Sequence, residues 1–180
     1  MAPHDGPDGH THEWAAPTDK LTRAGLGTFK APKSPYDLWM DAQDIPIYRD
    51  IGISKVQNLP MTKWDLMGGN ASFIQLYGTE GMWGCHIIEV PGAGALNPVK
   101  HIYEQQYFVV EGRGSTEVWE EGQEDKVHVF EWQKGSLFSV PLNAMYRVVN
   151  ASSSPALLLG GNTAPNVMNI YENPDFIFNC

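Results

Sequence analysis

The stretch "HIYEQQYFVVEGRG" (residues 101–114) decides how the rest of the chain is read. From Gln106 to Val110 it is a compact β-rich run with aromatic and β-branched side chains. Gly112 and Gly114 then break it. A strand that ends in two closely spaced glycines turns sharply, because glycine alone adopts left-handed backbone without steric cost. Twenty-one residues later, "GSLFSVPLNAMYRVVN" (135–150) repeats the grammar. Gly135 opens a strand, Pro141 closes it where no ladder N–H is needed, and a second strand comes after a short turn.

Outward from these two stretches the chain keeps to short apolar runs with Gly, Pro or Asn between them. Strands are expected at 72–78, 82–90, 106–112, 115–121, 126–132, 136–141, 146–150 and 156–161, and the run "VMNIYE" (167–172) extends the set. "STEVWEE" and "KVHVFEW" alternate around "EGQED", as the half-buried strands of a hairpin do. No long helical period competes. Regularly spaced short strands imply an all-β sandwich or small barrel, with chemistry on inward-facing positions at the barrel mouth.

The preceding fifty residues differ. Residues 1–33 are rich in Pro, Gly and charge and read as an arm, with one short helical turn near 18–24. His4, His10 and His12 lie there among residues that fix no geometry, so they are not read as metal ligands. "SPYDLWMDAQDIPIYRD" (34–50) carries Tyr36, Trp39 and Tyr48 as anchors for packing on a sheet of its own domain or of a partner. The expected division is an N-terminal arm and packing segment over 1–50 and a barrel over 51–180.

Composition narrows function. The chain has 180 residues, 42% of them hydrophobic, enough for one domain with its own core. Its formal net charge is −9, with an isoelectric point near 5.0, and Lys and Arg are not clustered. Nucleic acid and anionic membrane are therefore not expected partners. No apolar run reaches membrane-helix length, and the first twenty residues lack the apolar core of a signal peptide. Cys85 and Cys180 do not make a disulfide framework, so a reduced, cytoplasmic protein is expected.

The spacing of both glycine-bracketed stretches resembles the two motifs of the cupin family. The first runs His-x-His, three residues, Glu, six residues, Gly. The second runs Gly, five residues, Pro, x, Gly, two residues, His, three residues, Asn. Gly112, Gly135, Pro141 and Asn150 fall on motif positions, and Asn143 replaces a Gly. The likeness spans about residues 70 to 170 and implies a double-stranded β-helix, the jelly-roll barrel of that family, with an extended N-terminal arm.

The ligand letters are changed. The family's His, His, Glu and His, which hold Fe, Mn, Ni, Cu or Zn, become Val99, His101, Gln105 and Tyr146. Val cannot ligate, Gln is a neutral and weak donor, and a phenol must lose a proton to bind well. His86, on a strand before the motif, is the candidate to assist; alternation puts it opposite Cys85. His128 reads as solvated. If an ion such as Fe, Mn, Cu or Zn is bound, His101 anchors it with Gln105, Tyr146 and His86. Without one, His101 and Tyr146 form an acid–base pair, Gln105 orients a ligand oxygen, and Val99 and Met145 make an apolar wall. Alternatively the three polar groups fill a core.

Two functions remain open. One is an oxidoreductase, dioxygenase or lyase acting on a small organic acid, an aromatic one included. The other is a metal-free, non-catalytic barrel that binds a ligand or supports assembly. "TAPNVMNIYENPDFIFN" (163–179) resembles the segment after the first barrel of tandem cupins, so half of a two-barrel protein is one expectation and a homodimer the other.

Overall fold

The structure is a computed structural model that describes residues 32–179. His4, His10, His12, the turn near 18–24 and Cys180 lie outside the described residues. One compact unit runs from Ser34 to the C-terminus.

Residues 34–50, grouped with the arm in the sequence, carry a helix and a strand of this unit. Helix α1 (Pro35–Ala42) starts on a capping box: Ser34 Oγ accepts the Asp37 N–H, and the Asp37 carboxylate accepts the Ser34 N–H. Pro35 sits where its missing N–H costs nothing. Tyr36 and Met40, one turn apart, are the buried face. Strand β1 (Ile47–Asp50) pairs in parallel with β3 (Gly69–Leu76).

Strands β2 (Thr62–Trp64), β4 (Gly84–Val90), β5 (Gln105–Glu111), β8 (Leu137–Val140) and β10 (Ala156–Asn162) complete the larger sheet. Its order is β1-β3-β4-β10-β5-β8, with β2 paired to β3. The smaller sheet is β7-β6-β9, from β6 (Arg113–Trp119), β7 (His128–Gln133) and β9 (Met145–Asn150). Every pairing except β1–β3 is antiparallel. The two sheets face each other over the main core, as in a jelly-roll barrel. The all-β reading holds, and the eight strands expected between 72 and 161 are β3 to β10; β1 and β2 are additional to them.

One expected strand is a helix instead. Residues 167–172 do not extend a sheet: Ala164–Tyr171 form helix α2, and Pro174–Asn179 form helix α3. Pro165 lies in the first turn of α2, and Ala164 and Met168, four apart, face the core. The run is too short for its apolar pattern to separate a helix from a strand.

The outer face of the larger sheet has a second cluster. Ile74, Ile87, Val110 and Leu157 are covered by Ile53, Val56, Leu59 and Met61 from the chain between β1 and β2. Beyond that cover, Phe108 on β5 and Leu137 on β8 are paired in register and exposed. No helix among the described residues is long and apolar enough to cross a membrane.

Candidate functional site

The registers bring the inward side chains of the larger sheet into transverse rows. One row is Phe73, His86, Gly160, Tyr107 and Phe138, running from β3 through β4, β10 and β5 to β8. Gly160 is the gap in it. A Cβ there would lie 2.5 Å from His86 Nε2 and 2.9 Å from Gln105 Nε2. With no side chain at that point, the rings of His86 and Tyr107 meet edge-on, centroids 5.7 Å apart.

The turn skeleton delivers the other groups. Gly112, at φ 95°, makes the β5–β6 turn, and its Cβ would strike Ala156. Asn143, at φ 59°, holds the left-handed position in the β8–β9 turn, and its N–H donates to the His101 carbonyl at 3.0 Å. Val99 and Tyr146 exchange both backbone hydrogen bonds, at 3.0 and 2.9 Å. The segment before β5 is thereby bound to β9, which brings the His101 side chain beside the Tyr146 phenol.

His101 and Tyr146 are in direct contact: imidazole Nε2 lies 3.2 Å from the phenol oxygen. On the other side of the ring, Nδ1 lies 3.0 Å from the Tyr103 carbonyl. A carbonyl can only accept, so Nδ1 carries the proton and a neutral Nε2 must accept from Tyr146. Tyr107 Oη is 3.3 Å from Tyr146 Oη. The Tyr146 proton is already committed, so Tyr107 donates. The chain therefore has one direction, from Tyr107 through Tyr146 to His101 and on to the Tyr103 carbonyl. The rings of His101 and Tyr103 stack, centroids 3.8 Å apart and planes 3° from parallel.

The protonation states are set by burial. Desolvation pushes His101 down to about 4, opposed by its bonds to backbone, and pushes His86 down to about 4, with His101 adding to the effect. Both imidazoles are neutral at pH 7. Burial likewise holds the Tyr146 phenol well above its ordinary range, with Tyr107 and Tyr103 contributing, and raises Tyr107 to about 12.

Gln105 is not part of this chain. Its amide nitrogen donates to the carbonyls of Gln106 (2.7 Å) and Gly161 (3.3 Å), and its oxygen accepts from Asn162 at 3.2 Å. It ties β5 to β10. His86 sits on the other side of Gly160, and its buried Nε2 has no hydrogen-bond partner. As alternation requires, His86 is buried while Cys85 is only half-buried, with its free thiol pushed up to about 11 by desolvation. His128 is exposed. The sequence alone does not single out Tyr107, although it shares the phase of Gln105 on β5, nor does it single out Asn162.

Aromatic rings continue around this end of the barrel. Trp64 packs edge-on against His86, Trp39 of α1 against Trp64, and Phe178 of α3 stacks on Trp39 at 5.9 Å. Phe178 in turn meets Tyr103, which stacks on His101. Polar bonds hold α1 in place: Trp64 Nε1 donates to Gln43, Gln75 donates to Asp37, and the Tyr36 N–H donates to Asn169.

No family model matches this sequence, and no curated protein is significantly similar to it. Solved structures are similar in fold. The oxalate decarboxylase of Lactobacillus farciminis, in its formate complex, aligns with a TM-score of 0.50 and 18% identity over 61% of this chain and 32% of its own. Peruvianin-I, a cysteine peptidase from Thevetia peruviana latex, aligns with a TM-score of 0.51 and 18% identity, over 63% and 72%. The CENP-C cupin domain of Drosophila melanogaster aligns with a TM-score of 0.49 and 15% identity, over 82% and 92%. The chain spans about a third of the length of the oxalate decarboxylase it matches. The fold is cupin-like.

That fold raises the question of a metal, and the donors here do not fit one. The position opposite Tyr146 is Val99. The one lone pair His101 could offer is occupied by the Tyr146 proton, and burial opposes the phenolate a ferric ion would need. The Gln105 amide is spent on β10. No group of three or more His, Cys, Asp or Glu side chains among the described residues is placed to hold an ion.

Proposed function

We propose that this chain is a metal-free binding and assembly module built on a cupin-like barrel. The observation that carries the reading is the hydrogen bond from the Tyr146 phenol to Nε2 of His101. It places a proton donor where a metal-dependent barrel would direct a lone pair at an ion. His101, Tyr146 and Gln105 then act as interior cross-links between β9, β5, β10 and the segment before β5. They do not act as acid, base or ligand. His101 and Tyr146 are each 2% exposed, so neither meets a substrate in this state.

The oxidoreductase, dioxygenase and lyase readings need an ion or a reachable acid–base pair, and these residues favour neither. Work is assigned to outer surfaces instead. The exposed pair Phe108 and Leu137 continues the apolar outer face of the larger sheet beyond its cover. It suits a second barrel, of this chain or of another, with a small-molecule ligand as further partner.

The test is metal content and metal response. The protein is purified with Mn, Fe, Cu or Zn salts present, dialysed, and assayed for bound metal and for thermal midpoint. Substoichiometric metal and an unchanged midpoint are expected. About one ion per chain, with a midpoint that rises with metal concentration, overturns the proposal.

A further inference from the structure

Outside the barrel, α1, α2 and α3 enclose a groove of about 380 Å³, a volume within the range of small-molecule sites. Its walls include Leu38 and Trp39 of α1, Met168 of α2 and Ile177 of α3. Among the described residues, Glu172 is the only charged side chain that lines it.

Two features set this groove apart from an ordinary seam between helices. Trp39 is a fixed wall: its indole is stacked by Tyr36 on α1 and by Phe178 on α3, with planes 23° and 21° from parallel. Held among neighbouring rings, the part of the indole that lines the groove offers apolar surface at little ordering cost when something packs on it. The second feature is Glu172. It ends α2 at φ 53°, the left-handed conformation that glycine adopts freely and that a residue with a Cβ adopts at a cost. The position holds a carboxylate where backbone geometry favours none. That carboxylate has no ion-pair partner among the described residues, and the last turn of α2 has no basic side chain. A helix C-terminus and a carboxylate both favour a cation.

We propose that this groove binds a small organic cation with an aromatic body, of the arylalkylamine class. The ring packs on Leu38 and Trp39, over a floor closed by the buried Met168 and Ile177, and the ammonium is held at the rim by Glu172. Charge complementarity selects this occupant over an acid of the same shape, since an arylalkyl carboxylate would place like charges together. The site shares no polar group with the barrel interior, so it stands or falls independently of the metal-free reading.

Phenethylamine and 3-phenylpropionate, of similar shape and opposite charge, are titrated separately into the full chain by calorimetry and ligand-observed NMR. Saturable one-to-one binding of the amine is expected, with the acid at least about fivefold weaker. Glu172→Gln keeps the size of the side chain and should weaken the amine by a similar factor while leaving the thermal midpoint near wild type. Glu172→Gly should weaken the amine and raise the midpoint, because glycine relieves the left-handed backbone. Equal binding of acid and amine, unchanged amine binding in Glu172→Gln, or no saturable binding of the amine to wild type overturns the proposal.

Discussion

Adjacent rows of the same strands solve different problems. Ala71, Ile88, Leu158 and Val109 are fully buried and purely apolar, and the smaller sheet faces them with side chains such as Val148. Two residues along each strand, the row is Phe73, His86, Gly160 and Tyr107, joined to Tyr146 and His101. The first row depends on shape and area alone, and any well-sized hydrophobe serves it. The second depends on direction: each proton has one place to go, and one nitrogen, His86 Nε2, has none. A strand ladder can therefore carry a tolerant core and an intolerant polar core within two residues of each other.

Acid should separate the two rows most sharply. His86 and His101 sit near 4 when folded, against an ordinary value of 6.5. Between those limits the unfolded chain binds protons that the folded chain refuses, so stability rises with pH. The full contribution is present above about pH 6.5 and is lost as pH falls toward 4, by roughly 3 kcal/mol for each imidazole. Urea midpoints at pH 7, 5.5 and 4.5 should fall steadily, and the double variant His86→Leu/His101→Leu should flatten that slope. A wild-type midpoint that ignores pH across this range would remove the claim that both rings are buried and neutral.

Within the apolar row, Leu158→Ala should cost about 3 kcal/mol in a denaturant titration, the usual range for a fully buried leucine. In the polar row, Tyr146→Phe removes a single oxygen but strands His101 Nε2 and takes the acceptor from Tyr107. A loss of about 2 kcal/mol is expected at nearly constant volume. A Tyr146→Phe variant as stable as wild type would mean that the polar row behaves like its apolar neighbour.

The smallest effect has the opposite sign. His86→Leu removes an imidazole nitrogen that is buried without a partner, and should raise stability at pH 7 by about 1 kcal/mol. A destabilised His86→Leu would show that the edge-on packing against Trp64 and Tyr107 outweighs the orphaned nitrogen.

The sequence made the strands legible because their two signals agree. Alternation sets which residues face inward, and Gly112, Gly135, Pro141 and Asn143 mark the turns. The resemblance to the cupin motifs, which these turns carry, placed His101 and Tyr146 together. The sequence could not supply proton direction, which depends on the Tyr103 carbonyl at Nδ1, a backbone atom with no letter of its own. Tyr107 reads as packing because aromatic residues on a buried strand usually are. "GG" at 160–161 reads as the end of a strand, whereas Gly160 is a gap within one, visible only when β4 and β5 lie on either side of it. Residues 167–172 mislead because a six-residue apolar run fits either period.

The hydrogen-bonded chain from Tyr107 ends on a peptide oxygen, and both of its phenols are buried. A hydroxyl proton in such a cul-de-sac leaves only when this end of the barrel opens. The phenolic protons of Tyr107 and Tyr146 should therefore give slowly exchanging signals outside the usual hydroxyl range. Their exchange rate is a clock for local breathing that reads the motion of β9 against β5 without any added label.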